Sequence, residues 1–166
     1  KLPDLTVDGE LYNHQFKDNF NKIISLVRKQ KPTDEEIDEA TRYIQFHWYD
    51  YVLTRFDEDT TVFRHRDQMI KKTIEELGSR HIVEVPTHEV SILESAKLWH
   101  KDFLKQGYEG SIIRLNKPYE QKRSYNLQKF KDFSDSEAKI TGWVEGQGKR
   151  IGTIGKFLAI DNNGIT

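Results

Sequence analysis

The 166-residue chain contains no cysteine, so it can build no disulfide framework, thiolate metal site or thiol nucleophile. That absence fits a reducing compartment. It has no apolar run near the roughly 20 residues a membrane-spanning helix needs, and Lys1 to Thr6 lack the apolar core of a signal peptide. The expectation is a cytoplasmic or nucleoid-associated protein with no membrane partner. It also lacks an excess of one charge, with 26 basic against 27 acidic side chains. A free-standing nucleic-acid binder usually presents a basic surface, so any such surface here must be local. Internal repeats, low-complexity tracts and long like-charge blocks are missing as well.

What is present is enough for a real core. Hydrophobic residues make up 36% of the chain and aromatics 11%, beside 32% charged residues, which suits one soluble domain or one and a fraction. From Leu5 to Tyr12 a two-residue period sets Val7, Gly9 and Leu11 on one strand face and Asp8, Glu10 and Tyr12 on the other. Phe16, Phe20, Ile23, Ile24 and Val27 recur at helical spacing up to about Lys29, and Pro32 ends that helix. The acidic stretch Asp34 to Glu39 suggests a short helix. Ile44, Phe46 and Trp48 then alternate with Gln45, His47 and Tyr49 in a strand running to about Leu53. An acidic loop, Asp57 to Asp59, precedes a helix over Thr61 to Leu77 with Gly78 as its C-cap, and a short strand over His81 to Val85.

Ser91 and Glu94 have capping-box spacing before the stripe Ile92, Ala96, Trp99 and Phe103, and Gly107 can end that helix. From Gly110 onward the pattern is strands and turns: Ser111 to Leu115, Asn126 to Phe130, Glu137 to Val144 and Ile151 to Ile160. Ser134 to Ser136 is the best candidate for a domain boundary. The six histidines show no metal-ligand spacing, and Gly146 with Gly148 reads as a turn between strands rather than a phosphate loop.

Several charged positions could carry chemistry, though each taken singly is more often solvated surface. Asp8 and Glu10 share a strand face, and Glu109 precedes Gly110 and an apolar pair leading to Arg114. Lys129 and Lys131 project from one face of a strand about 7 Å apart, a crowding that solvent or an anion must offset. Lys122 and Arg123 add positive charge just upstream. The order of the elements changes the odds: VDGELY (Val7 to Tyr12), FHWYDYV (Phe46 to Val52), YEGSIIR (Tyr108 to Arg114) and KRSYNLQKFKDF (Lys122 to Phe133) resemble successive nucleotidyltransferase motifs III, IIIa, IV and V of ATP-dependent DNA ligases. The segment Glu137 to Gly164 looks like the opening strands of a ligase OB domain.

The resemblance implies an α+β fold: antiparallel sheets flanked by helices form an ATP-grasp-like adenylation (nucleotidyltransferase) domain over residues 1–133, followed by the start of an OB-fold β-barrel over 134–166. It implies ATP and magnesium as cofactors and nicked double-stranded DNA as the partner of a monomer. By the same resemblance, Glu10 and Glu109 are the carboxylates on the ribose and metal side, and hard oxygen donors suit magnesium. Lys129 and Lys131 match the paired lysines at the α-phosphate, while Arg114 and Arg123 match basic positions at the nucleotide or its phosphates. Tyr49 falls where an aromatic stacks on adenine. Such a set would offset the charge of phosphoryl transfer to a lysine nucleophile.

Two departures shape the expectation. Leu127 stands where some cellular ligases carry tryptophan, and the nucleophile motif Lys-x-Asp-Gly occurs nowhere; Lys1-Leu2-Pro3-Asp4 is not it. With only about two of the roughly five strands of an OB barrel, the chain reads as an excerpt that does not self-adenylate. The short spacing between motifs resembles a viral or bacterial minimal ligase. An RNA ligase, a capping guanylyltransferase and a non-catalytic binding module are the alternatives; the run from the paired lysines into an OB strand favours DNA ligase. Joint retention of Glu10, Glu109, Lys129 and Lys131 argues against decay.

Overall fold

A computed structural model describes residues 5–53, 60–133, 135, 137–161 and 164. The expected acidic loop at Asp57 to Asp59, the Lys1 to Asp4 segment, and Ser134 and Ser136 of the expected boundary lie outside the described residues. The chain divides into two compact units, Lys1–Lys131 and Asp132–Thr166.

The first unit opens with strand β1 (Leu5–Tyr12), which runs antiparallel to β2 (Gln45–Leu53). Between them lie helices α1 (Phe20–Arg28) and α2 (Asp34–Tyr43). The helix expected from Phe16 begins later, because His14–Phe16 form a separate 3-10 turn capped by Asn13, whose side chain accepts from the Gln15 amide. The acidic stretch of α2 extends through Tyr43. Thr33 and Glu36 close a capping box there, and Asp34, Glu35 and Glu36 complement the positive end of the helix.

Helix α3 (Phe63–Leu77) ends at Gly78 in the left-handed region, φ 57°, a conformation glycine adopts without a Cβ penalty. It leads to β3 (Ile82–Glu84), which pairs with β2 in parallel. The sheet β1-β2-β3 is therefore mixed, which corrects the expectation of antiparallel sheets. The reason is the intervening helix: a parallel neighbour needs a crossover, and α3 lies between the two strands in sequence.

Helix α4 (Leu93–Gln106) corrects a second expectation. Ile92 is its N-cap and makes no side-chain cap bond, so Ser91 sits one position too early and the Ser91–Glu94 box does not form. Gly107 ends α4 as expected, at φ 91°. Strands β4 (Ser111–Arg114) and β5 (Leu127–Phe130) make an antiparallel pair. Buried His100 of α4 stacks on Phe130 at 4.1 Å and bonds the Ser111 hydroxyl at 3.0 Å, fixing the helix to both strands.

Ile23, Trp48 and Ile70 are the buried apolar residues of this unit, and they are joined inside by the polar Asn13, Asp50, Arg66 and His100. Asn13 reaches the Tyr43 carbonyl at 2.7 Å, tying the end of β1 to the end of α2.

The second unit is the antiparallel pair β6 (Ala138–Glu145) and β7 (Ile154–Asp161), joined through a 3-10 turn at Gly148–Arg150. Trp143 lies across from Phe157, with 61% and 59% exposure. In architecture the chain is mixed α/β, with small sheets and four α-helices among the described residues.

Candidate functional site

Strand β2 organises the site. Its register breaks after Trp48, which lies opposite Gly9, and carries the fully buried Asp50 to the place opposite Asp8. A carboxylate taken out of water requires hydrogen-bonded partners, and Asp50 has them. Arg66 of α3 donates Nε to Oδ1 at 2.7 Å and Nη2 to Oδ2 at 3.0 Å. Arg114 of β4 donates Nη1 to Oδ2, and the Tyr51 amide donates to Oδ1 at 2.8 Å.

Arg66 is itself buried, and its Nη1 donates to the carbonyls of Thr61 and Lys117. Phe63 lies beneath both guanidiniums, 4.6 Å from Arg114 and 5.7 Å from Arg66. The first turn of α3 is pinned to the segment after β4, since the Phe63 amide donates to the Lys117 carbonyl and the Arg64 amide to Asn116 Oδ1.

These residues form the back of a cleft of about 580 Å³. Asp8, Asp50, Arg66, Arg114, Leu115, Lys117 and Tyr119 line one part; Glu120, Lys122, Arg123, Ser124 and Lys129 line another. Six cationic side chains therefore face three carboxylates, in a chain whose net charge is −1. The β4–β5 register sets Ile112 opposite Lys129 and Arg114 opposite Leu127, so Arg114 and Lys129 lie diagonally on one face. Glu120 is occupied by Ser124, Asn126 and Lys122, and the Ser124 hydroxyl leads in holding its carboxyl below the usual range. Tyr119 donates to Asp8 at 3.2 Å; burial first, then the charge of Asp8, pushes the phenol upward.

Five of the sequence-selected residues, Asp8, Arg114, Lys122, Arg123 and Lys129, thus share this cleft. The others form two pairs beside it. Tyr49 donates to Glu10 at 2.5 Å, and burial, followed by that bond, raises its phenol well above the ordinary value. Lys131 donates to Glu109, holding that exposed carboxyl below its ordinary range. Glu10 and Glu109 both act on Tyr12, whose pKa is raised by burial and then by Tyr108, Glu10, Asp18 and Glu109. Among the described residues no cluster of three or more metal-ligating side chains occurs.

β1 pairs without a skipped residue, and the irregularity lies in β2. The register shifts between Asp8 and Gly9, so that Asp8 faces Asp50 while Gly9 faces Trp48, and Tyr49 becomes the extra residue of a bulge. Asp8 and Glu10 consequently take different partners, Tyr119 and Tyr49. A Cβ on Gly9 would meet the His47 carbonyl, and one on Gly110 the Phe130 carbonyl, each at 2.5 Å. Glycine is what lets both strand pairs close at these two points.

Sequence reasoning passed over Asp50, Arg66 and Phe63. Part of the signal was there: Arg66 lies on the α3 stripe of Phe63, Ile70 and Ile74, whereas Asp50 is set opposite Asp8 by the bulge, which the two-residue period does not reveal. Charges in such places need partners inside the fold.

No family model matches the chain. A DNA ligase of Enterobacteria phage T4 is 29% identical over 102 residues, covering 60% of this chain and 21% of that protein. A DNA ligase of African swine fever virus is 29% identical over 157 residues, covering 89% and 34%. In fold, a solved Lig E DNA ligase matches at TM-score 0.68 and 22% identity, over 96% of this chain and 59% of that one. Chlorella virus DNA ligase-adenylate matches at TM-score 0.57 and 22% identity, over 93% and 61%. Among the described residues no helix is long and apolar enough to cross a membrane. In sequence and in fold the chain is similar to DNA ligases, and it spans about a fifth to a third of the length of the curated ligases it matches.

Proposed function

We propose that the chain supplies the phosphate-binding wall of the adenylation site in an ATP-dependent DNA ligase that seals nicks in double-stranded DNA. The observation that carries this reading is the cationic cleft holding Arg114, Arg123 and Lys129. Cations fixed in a cleft stabilise charge on a transferring phosphoryl group more than mobile ones in water do. On this reading residues 1–133 are the C-terminal part of the adenylation domain and 134–166 the first strands of an OB fold, in a monomeric enzyme.

Lys129 is exposed at the cleft, and Lys131 lies just beyond the end of the same strand; together they would grip the α-phosphate. Arg114 and Arg123 would hold the remaining phosphate oxygens. The Tyr49 ring would stack on adenine, its hydroxyl anchored by Glu10. Glu10 and Glu109 are hard oxygen donors around Tyr12, a set that fits magnesium, which keeps most of its waters and takes one or two carboxylates. Bound there, magnesium would supply positive charge toward the departing pyrophosphate. For Glu109 this requires exchange of Lys131 for the ion, and Lys131 is then released toward phosphate.

The test is the intact mass of the longer protein carrying this chain after incubation with ATP and magnesium, beside sealing of a 5′-phosphorylated nick. A gain of one AMP and a sealed strand are expected. No mass gain would refute the reading.

A further inference from the structure

Asp50 has more positive charge around it than it needs. Arg66 alone meets both of its oxygens in a bidentate pair, at 2.7 and 3.0 Å, and is consumed by doing so. Its remaining Nη1 goes to two backbone carbonyls, and its side chain is 2% exposed. Arg114 is the surplus cation. Its Nη1 takes the last acceptor position on Oδ2, its guanidinium lies on the Phe63 ring, and its side chain is 15% exposed at the cleft.

A carboxylate offers about four lone-pair sites. Here Oδ1 accepts from Arg66 and the Tyr51 amide, and Oδ2 from Arg66 and Arg114. The carboxylate is saturated, so the direction of Arg114 is over-determined. Arg114 has no other hydrogen-bond partner among the described residues, and its remaining N–H donors are available to the cleft. Asp8, opposite Asp50 on the neighbouring strand, balances the second guanidinium, so what Arg114 offers the cleft is directed donors rather than a net charge.

We propose that Asp50 is a positioning residue: backed by Arg66, it clamps one edge of the Arg114 guanidinium so that the other edge presents fixed donors to a phosphate oxygen in the cleft. This rests on the reading of the cleft as a nucleotide site. The fork shape matters, because a guanidinium can bind a carboxylate on one side and an oxyanion on another, whereas an ammonium is a single point of charge.

The experiment measures AMP-adduct formation by the full-length protein in single turnover across ATP concentrations, giving an apparent ATP affinity and a limiting rate. Asp50→Asn keeps the side chain's shape and removes its charge. It should weaken ATP binding about ten-fold, as loss of one charge-assisted hydrogen bond does, with a smaller change in the limiting rate. Arg114→Ala should do the same. The double variant should be no worse than Arg114→Ala alone, since the clamp has nothing left to hold.

Effects that multiply toward a hundred-fold would make Asp50 a general structural ion and overturn the proposal. Arg114→Lys, which leaves the Asp50–Arg66 pair intact, covers the case where Asp50→Asn fails to fold. It should bind ATP as weakly as Arg114→Ala, and wild-type affinity would overturn the proposal. If the wild type forms no adduct, the nucleotide reading falls and the clamp with it; if it forms one and the penalties multiply, only the clamp falls.

Discussion

Gly9→Ala should loosen the β1–β2 pair at the point where Tyr49 is bonded to Glu10. A Cβ at Gly9 would sit 2.5 Å from the His47 carbonyl oxygen, and real Cβ atoms essentially never come within 3.0 Å, so the strands must part by about 0.5 Å. The Phe46 ring, equally near at 2.5 Å, can turn aside, but the carbonyl is backbone and cannot. The rungs at Gly9–Trp48 and Glu10–His47 bear the displacement. Stretching a bond of ordinary length by that much takes it to the edge of hydrogen bonding. Two rungs at about 1 kcal/mol each are lost, and about 0.5 to 1 kcal/mol returns because alanine has less freedom to lose than glycine.

The net cost is roughly 1 to 1.5 kcal/mol, or about ten-fold faster amide exchange. Native-state hydrogen exchange of the full-length protein, read on peptides covering β1 and β2, measures it. Gly142→Ala is the matched control. Its Cβ would lie 3.5 Å from a Leu158 methyl, an ordinary contact, so β6 and β7 should be unchanged or slightly more protected. Wild-type protection of β1 and β2 in Gly9→Ala would refute the argument from backbone clearance.

Arg66→Met should be the more damaging change in this unit, because it strips two hydrogen bonds from a fully buried carboxylate. The expected loss is about 3 kcal/mol, the low end for a broken buried pair since Arg114 remains, and it reads as roughly hundred-fold faster exchange in α3; a loss below about 1 kcal/mol would contradict it. Glu109 should titrate below an ordinary glutamate, because Lys131 stabilises its charged form. That attraction is full above the unfolded value and disappears as pH falls through the lowered one; Lys131→Ala or about 1 M salt should return the side-chain carbon titration toward normal, and no change would sink the pairing.

Tyr49 should resist ionisation in an ultraviolet titration. Its raised pKa favours the folded state below the unfolded phenol value, and the benefit is lost as pH rises through the folded one. Glu10→Gln should lower that pKa only in part, since burial is the larger cause; a full return to the ordinary value would reverse that order.

Much of this architecture was legible because local signals and packing agree. The alternation in β2 as far as Trp48, the stripe of α3 and the left-handed glycines at positions 78 and 107 each correspond to what forms there. Two of the misses share a cause: a one-residue offset that periodicity does not resolve. Ser91 has the right chemistry for a cap but the helix starts after Ile92, and the bulge at Tyr49 sends Asp8 and Glu10 to different partners. The parallel placement of β3 depends on where the chain returns after α3, a non-local choice. At the site, residue types pointed to Arg114 and Lys129, but only the register sets them diagonally on one face.

Asp50 also bears on how the unit assembles. Its two arginine partners lie 16 and 64 positions further along the chain. A β1–β2 pair formed early would carry this carboxylate hydrated, since drying it without partners costs more than such a pair can supply. Dehydration has to wait for α3, and the last acceptor site for β4. Drying the interior of the first unit around Asp50 is therefore coupled to residues from its far end, and one acidic side chain ties the two ends of the unit to the same event of burial.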